Sequence, residues 1–584
     1  MRIQRVLPSL LAVACLSAAV PAFAAEAPRR PELAPCKEAG MPAGALCGTY
    51  EVFENRAART GRKIPLHVVV LPAQGADRLP DPLIYFAGGP GDGSVSEGLF
   101  MAQELASLRA RRDVLLIDLR GTGASGGLFC TELQGSQGVQ GFLDNFLPTD
   151  KIHACRDRLK KQVDLSWYTT DAAIDDVEEV RAALGYGKLN LIGGSYGTRA
   201  VLTFLRRHPQ SARTATMLGV VRPDERYPLG LARATQTVLD GLIAECAGDP
   251  ACRQAFPQLR QEVDAVLRRA AAEPVKVAMT DPATGQAVEL RLGQRGVAQT
   301  LRYMLYSPAG AAVLPLEVHA AAQGDWKPLA QSARLYGSGM TSTADGFYQS
   351  VTCAEDVAFI REQDVAAAVA GTFLGDFRVR LQKAACEGWP TRDLGREIQS
   401  PVVSDVPALL ISGERDPATP AENGAQVLRT LKRGRQLIVA DGAHSTDGMQ
   451  GNDCLFGLVA AFIQAGAAEG LDAACVAGMR RPDFALSLGD PEVALPRADL
   501  ERLAGSYADK ESGLVAKVDL LGDRVRVSLS DGFQVLLIPT APSRFRLEGM
   551  GAGRIVTFQG MGGRATALVL SQPGRPDLVM PRAD

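Results

Sequence analysis

Ser195 lies in the run Gly193-Gly194-Ser195-Tyr196-Gly197, a serine flanked at two residues on either side by glycine. Such spacing lets a serine sit on a sharp strand-to-helix turn that lifts its hydroxyl clear of the backbone as a nucleophile. The same letters alone also describe a plain tight turn, so context decides. Here Leu189 to Ile192 (LNLI) reads as a buried strand and Ser195 to Arg207 (SYGTRAVLTFLRR) as a helix, whose positive end would point at the reacting centre. A hydroxyl at neutral pH needs a base, and the chain holds five histidines. His67 falls in an early strand, His153 between two cysteines, His208 at the end of the helix after Ser195 and His319 in a helical stretch, each with an ordinary packing or surface reading. His444, in Asp441-Gly442-Ala443-His444-Ser445 just past a late strand, is the candidate base. Its orienting acid must lie between Ser195 and His444 if the chain order is Ser, acid, His. Asp416, in Gly413-Glu414-Arg415-Asp416-Pro417 after the strand ALLIS, fits that place, with Glu414 as the local alternative.

Acyl transfer through a serine also needs two backbone N–H groups to meet the oxyanion, each worth about 2.7–4 kcal/mol. Tyr196 supplies one. Ala87-Gly88-Gly89-Pro90-Gly91, after the strand PLIYFA, supplies the other: Pro90 has no N–H, and Gly89 is favoured over Gly88. The competing readings are a glycine turn without a role and a phosphate cradle, the latter weakened by the missing lysine. No CxxC or HExxH spacing occurs, so neither a metal nor another cofactor is expected. A formal net charge of −2 with 22% charged residues gives no reason to expect a nucleic-acid partner.

Holding these groups together requires strands that end side by side. Apolar β-type runs alternating with glycine and helical patterns predict an α/β fold with a mainly parallel sheet, its strands at 48–55, 63–71, 82–87, 113–117, 189–192, 408–412 and 436–440. A good helix is expected from Asp171 to Leu184. Residues 222–395 read as a helical cap with little strand signal, inserted between a first core segment at 25–221 and a second at 396–489. Residues 496–584 carry short alternating segments split by glycine turns, the pattern of a small antiparallel β-barrel or sandwich. A chain of 584 residues is too long for one core, which serves roughly 250–300 residues at most.

Met1 to Ala24 combines Arg2 and Arg5, an apolar stretch and Ala22-Phe23-Ala24, the form of a removed export signal. Lipid attachment at Cys15 is the rival reading, and no membrane span is expected elsewhere. Without Cys15, ten cysteines remain, and oxidising conditions outside the cytosol favour their pairing between sequence neighbours. The expected couples are Cys36 with Cys47, Cys130 with Cys155, Cys246 with Cys252, Cys353 with Cys386, and Cys454 with Cys475.

The set AGGPG, Asp118-Leu119-Arg120-Gly121-Thr122-Gly123-Ala124-Ser125, GGSYGT at 193–198, GERDPATP at 413–420 and the late GAH resembles the prolyl aminopeptidase and tripeptidyl aminopeptidase family of α/β-hydrolases, over roughly residues 45–480. Ala87 stands where many prolyl aminopeptidases have histidine, and the β-tail lies outside the resemblance. The resemblance implies a metal-independent serine peptidase that releases short amino-terminal pieces from peptide substrates, with a helical cap over its site. Such an enzyme must hold the substrate's ammonium group with carboxylates. Glu355 and Asp356, beside Cys353, are the expected pair, with two solvated surface acids as the alternative. An esterase on the same triad and a non-catalytic envelope binding protein are the other functions to separate.

Overall fold

The computed structural model describes residues 31–584, apart from 39, 134–138, 282–283, 339–342, 510–513, 530–532, 549–552, 561, 573–575 and 584. The leader and Cys15 fall outside the described residues.

The first sheet has nine strands: β1 (Ala34–Pro35), β2 (Leu46–Phe53), β3 (Lys63–Leu71), β4 (Leu83–Phe86), β5 (Val114–Ile117), β6 (Leu189–Gly194), β7 (Ala212–Leu218), and, beyond the hairpin strands β8 (Val275–Thr280) and β9 (Ala287–Leu292), β10 (Ala408–Gly413) and β11 (Gly434–Val439). Their order is β1-β2-β3-β5-β4-β6-β7-β10-β11. The first three pair antiparallel and β3 meets β5 antiparallel, while every pairing from β5 to β11 is parallel. This is the α/β-hydrolase fold. Parallel strands covered on both faces must be apolar throughout, and β4 and β5 are buried at every position. Each fully buried aliphatic side chain in this layer contributes about 1.5–3 kcal/mol relative to its exposed state.

β7 is not among the expected strands. Its sequence ARTATML is mostly alanine and threonine, so it lacks the bulky apolar signal, yet it is almost wholly buried between β6 and β10. Two helical runs of the stretch 222–395 are interrupted. Pro250–Ala255 and Leu259–Ala272 are separated around Pro257, and Glu362–Val369 and Phe377–Cys386 around Gly371 and Gly375. Proline removes a helix donor, and glycine stops a helix cheaply.

Within 222–395 the helices carry their own apolar cluster, with Leu239, Val263, Leu301 and Leu329 nearly inaccessible. The hairpin β8–β9 also lies in this stretch, where little strand is expected. Its alternation of exposed and buried residues marks a half-covered ribbon. Phe347, Val351, Cys353 and Ala385 pack instead into the main core with Leu191 and Val201, so the helices Asp345–Glu355 and Phe377–Cys386 are rooted in the sheet layer.

The tail is an antiparallel meander of eight strands in sequence order, β12 (Gly505–Ala508), β13 (Val515–Leu521), β14 (Arg524–Leu529), β15 (Gln534–Ala541), β16 (Arg544–Leu547), β17 (Ile555–Gln559), β18 (Ala567–Ser571) and β19 (Leu578–Pro581). A Tyr507–Arg582 bridge brings its ends together, giving a nearly closed barrel. Among the contacts of the tail with the rest of the chain, Gln331 Nε2 donates to buried Glu548 at 2.7 Å, and Arg554 pairs with Asp447.

All ten cysteines of the described chain are joined, each to its sequence neighbour. Cys36 is bonded to Cys47, tying β1 to β2, and Cys130 to Cys155 on the helix Thr149–Leu159. Cys246, near the end of the helix Leu231–Gly248, is bonded to Cys252 on the short helix Pro250–Ala255, and both sulfur-bearing residues are buried in the cluster of the helical stretch. Cys353 is bonded to Cys386, linking the two helices rooted in the sheet layer. Cys454, on the helix Asn452–Ala465, is bonded to Cys475 in the turn Ala474–Gly478, which pins the chain leaving the second core segment back on its last helix. No helix of the described residues is long and apolar enough to cross a membrane.

Candidate active site

Sheet register brings the site together. Phe86 at the end of β4 lies opposite Gly193 of β6, Gly194 lies opposite Leu218 of β7, and Leu218 lies opposite Ile411 of β10. The loops after these strands therefore leave from one edge of the sheet. Ser195 sits between β6 and the helix Tyr196–Arg207 with φ 52° and ψ −121°, a positive-φ conformation that costs a non-glycine residue free energy and is typical of functional turns. A Cβ at Gly193 would lie 2.3 Å from the Gly197 carbonyl oxygen, and one at Gly197 would lie 2.0 Å from that of Phe86. Both flanking glycines are thus required by close backbone approach.

His444 Nε2 lies 3.1 Å from Ser195 Oγ, and His444 Nδ1 lies 2.9 and 3.0 Å from the two oxygens of Asp416. Asp416 accepts from the backbone N–H groups of Ala418 and Thr419 at 2.8 Å each and from Thr419 Oγ1 at 2.5 Å. Burial alone would raise its carboxyl, but the opposite charge and hydrogen bond of His444, together with Thr419, hold it below the usual carboxylate range. Glu414 points elsewhere, about half exposed and paired with Arg415 at 3.3 Å. The other histidines are engaged away from this group: His67 contacts Asp118 and Glu38, His153 the Ala384 carbonyl, His208 Asp175 and His319 Glu262.

On the opposite side of Ser195, the Gly88 N–H donates to Glu97 at 3.2 Å, whereas the N–H groups of Gly89 and Tyr196 have no hydrogen-bond acceptor among the described residues. Burial, reinforced by nearby Asp92, pushes Glu97 up to about 7. The Asp118–Ser125 motif serves as scaffolding. Asp118 accepts from Val95 N and Ala124 N at 3.0 Å each, and Arg120, wholly buried, grips Asp176 with two bonds at 2.7 and 2.8 Å.

Glu355 and Asp356 are buried side by side behind Tyr196, and other groups already engage them. Asp356 takes two bonds from Arg199 at 2.7 and 3.1 Å. Glu355 accepts from Thr170 N at 2.7 Å and Thr170 Oγ1 at 2.8 Å, and Thr170 Oγ1 in turn meets the Tyr196 hydroxyl at 2.8 Å. Burial pushes Glu355 up to about 7, against the pull of Arg199. Of the acid pair expected to hold an ammonium group, Asp356 lines the same cavity as Ser195, and both acids face the charge of Arg199, one turn along the helix that follows Ser195.

These groups surround a cavity of about 790 Å³ whose wall is shared by the sheet edge and the helical layer. None of the ten disulfide-bonded cysteines lines it, Cys252 and Cys475 included, so the bridges act on the scaffold and not on the chemistry. Several wall residues carry no sequence signal, among them Tyr306, Arg302 and Arg378. The Tyr306 ring stands edge-on to the His444 imidazole with centroids 5.0 Å apart. Thr419 is legible in principle, since a hydroxyl three residues after an aspartate is a recurrent local partner.

A sharp nucleophile turn, a histidine on its hydroxyl and a buried aspartate on the histidine, all at one edge of a parallel sheet, define a serine hydrolase of the α/β-hydrolase fold. Residues 81–254 match the family described as alpha/beta hydrolase fold, and residues 372–475 match that described as TAP-like protein. The chain is 25% identical over 479 residues to serine protease Hip1 of Mycobacterium bovis, covering 76% of this chain and 90% of that protein. It is 27% identical over 175 residues to putative hydrolase YuaR of Escherichia coli, covering 29% and 35% of the two chains. It is 28% identical over 148 residues to proline iminopeptidase of Neisseria gonorrhoeae, covering 25% and 34%. The chain thus has the α/β-hydrolase fold, its residues 372–475 are similar to TAP-like proteins, and it is similar to serine peptidases.

Proposed function

We propose that this chain is an exported serine aminopeptidase that releases short or proline-containing N-terminal pieces from peptides through an acyl-enzyme on Ser195. The observation that carries the reading is the continuous chain Ser195 Oγ, His444, Asp416 with separations of 3.1 and 2.9 Å. Ser195 Oγ attacks the scissile carbonyl while His444 Nε2 takes its proton, and Asp416 stabilises the imidazolium and fixes the Nδ1 tautomer. The N–H groups of Gly89 and Tyr196 receive the oxyanion. His444 then returns the proton to the departing amine, and water, deprotonated by the same nitrogen, releases the acyl piece. The relatives named as serine protease and proline iminopeptidase support amide rather than ester substrates. Five disulfides support an oxidising destination.

Glu355 and Asp356 would have to surrender bonds to Arg199 and Thr170 before taking an ammonium group. We assign that task instead to Glu225, which lines the cavity with weaker contacts, Arg222 at 3.5 Å and Asn423 at 3.4 Å.

A fluorophosphonate probe should add one phosphonyl group to Ser195, located by peptide mapping, and none to Ser195→Ala, which should lose at least about a thousandfold in kcat. Absence of labelling in folded protein would sink the catalytic reading. Turnover of short-chain esters without turnover of tripeptide or prolyl amides would make the chain an esterase.

A further inference from the structure

Two arginines on the cavity wall have no counter-charge among the described residues. Arg302, on the helix Gln294–Met304, and Arg378, on Phe377–Cys386, are only 1% and 3% exposed, and both line the cavity that holds Ser195. Neither forms an ion pair with any carboxylate of the described residues, although Arg199 in the same wall faces two acids. Arg302 donates through Nη2 to the Tyr306 hydroxyl, and Arg378 through Nη2 to the Tyr227 hydroxyl at 3.1 Å. The Nε and Nη1 groups of both find no acceptor among the described residues. Aromatic faces hold the guanidinium planes: Arg302 lies 4.6 and 4.7 Å from the Tyr303 and Tyr306 ring centroids, and Arg378 lies 4.0 Å from that of Phe146.

Burying a cation without an anion is costly, and two in one wall more so. Aromatic faces and phenol oxygens offset part of that cost, but they leave directed N–H donors unmet. Their field reaches a neighbour: burial pushes the Tyr227 phenol up, but the charges of Arg378 and Arg302, with hydrogen bonds from Arg378 and Tyr348, bring it below its usual value. Position ties the pair to the chemistry. Arg302 bonds to Tyr306, whose ring stands edge-on to the His444 imidazole, and both arginines share the cavity wall with Ser195.

We propose that Arg302 and Arg378 form an anion subsite that takes a carboxylate of the substrate, and so make the enzyme selective for acidic or short, carboxylate-ended peptides. Planar guanidinium donors match carboxylate geometry. The carboxylate has two sources: the substrate's own C-terminus, which would limit its length, or an acidic side chain. The proposal rests on Ser195 being the nucleophile, but not on the scissile bond being an amide.

Three matched substrate pairs test it on the wild-type protein: peptides ending in a free carboxylate against their C-terminal amides, peptides with glutamate against glutamine near the scissile bond, and aryl half-esters of glutaric acid against their methyl diesters. At least one pair should show roughly tenfold or greater preference in kcat/KM for the anionic member. The first two pairs identify the source, and the third reports on the subsite even if no amide is cleaved and the peptidase reading fails. Arg378→Gln should collapse the preference ratio towards one, and Arg378→Lys should restore part of it. Equal rates within every pair on the wild type, or an Arg378→Gln variant whose rates fall with the ratio intact, would overturn the proposal. The wild-type comparison decides the matter should the variant not fold.

Discussion

Arg199 and the pair Arg302 and Arg378 are buried to similar depth in the wall of one cavity, yet their surroundings are opposite. Arg199 is paired with Asp356 at 2.7 Å and has Glu355 at 3.7 Å, while the other two meet only phenols and ring faces among the described residues. The difference separates a charge that belongs to the architecture from charges that await something. A buried ion whose partners sit on another element ties those elements together, here the nucleophile's helix to the helix Asp345–Glu355. A buried ion without a counter-ion costs the fold free energy that phenols and ring faces offset only in part, and a ligand carboxylate would remove that cost.

The largest effect that would break this contrast concerns stability. Arg199→Met strands Asp356 and Glu355 in the interior and should cost about 3–5 kcal/mol, whereas Arg378→Met removes an uncompensated charge and should change stability by no more than about 1 kcal/mol. Urea midpoints of the two variants read the difference, and similar losses would erase the distinction between them.

A smaller effect sharpens the same contrast through pH. Glu355 is raised to about 7 from an ordinary value near 4.5, so its protonated form is favoured in the folded state. Stability from this group is fully present below about pH 4.5 and lost as pH rises through about 7. Wild type minus Glu355→Gln, measured as Tm between about pH 4 and 8, should therefore fall across that window; a flat difference would mean that Glu355 is ionised throughout.

The smallest effect belongs to the surface. Arg554 and Asp447 join the tail to the histidine loop, but Asp447 is about half exposed, so Arg554→Ala should cost at most about 1 kcal/mol in the thermal transition.

What the sequence makes legible follows from how local each signal is. The strand, turn and helix around Ser195 are contiguous, and their glycines are forced by contacts with nearby backbone. The disulfides are legible for the same reason, since each joins sequence neighbours, Cys246 to Cys252 at a separation of only 6 residues and Cys454 to Cys475 at 21. Asp416 and His444 are legible because each directly follows an apolar strand. β7 is not, since alanine and threonine become a strand only when β6 and β10 enclose them. β19 carries little signal of its own: its short run ends in Pro581 and is paired by β18 alone through its length. Glu355 and Asp356 look like open ligands in the sequence because Arg199, 157 residues from Asp356, is invisible from their neighbourhood. Arg302 and Arg378 are the least legible. Their meaning lies in which groups fail to reach them, and no spacing along a chain encodes that.

The interrupted core has a consequence for assembly. Ser195 and His444 are 249 residues apart, with the whole helical stretch between them. His444 follows β11, so its imidazole stands beside the hydroxyl only in a chain whose second sheet segment, β10 and β11, is paired onto β7. Assembly of the sheet and assembly of the proton relay are therefore one and the same requirement.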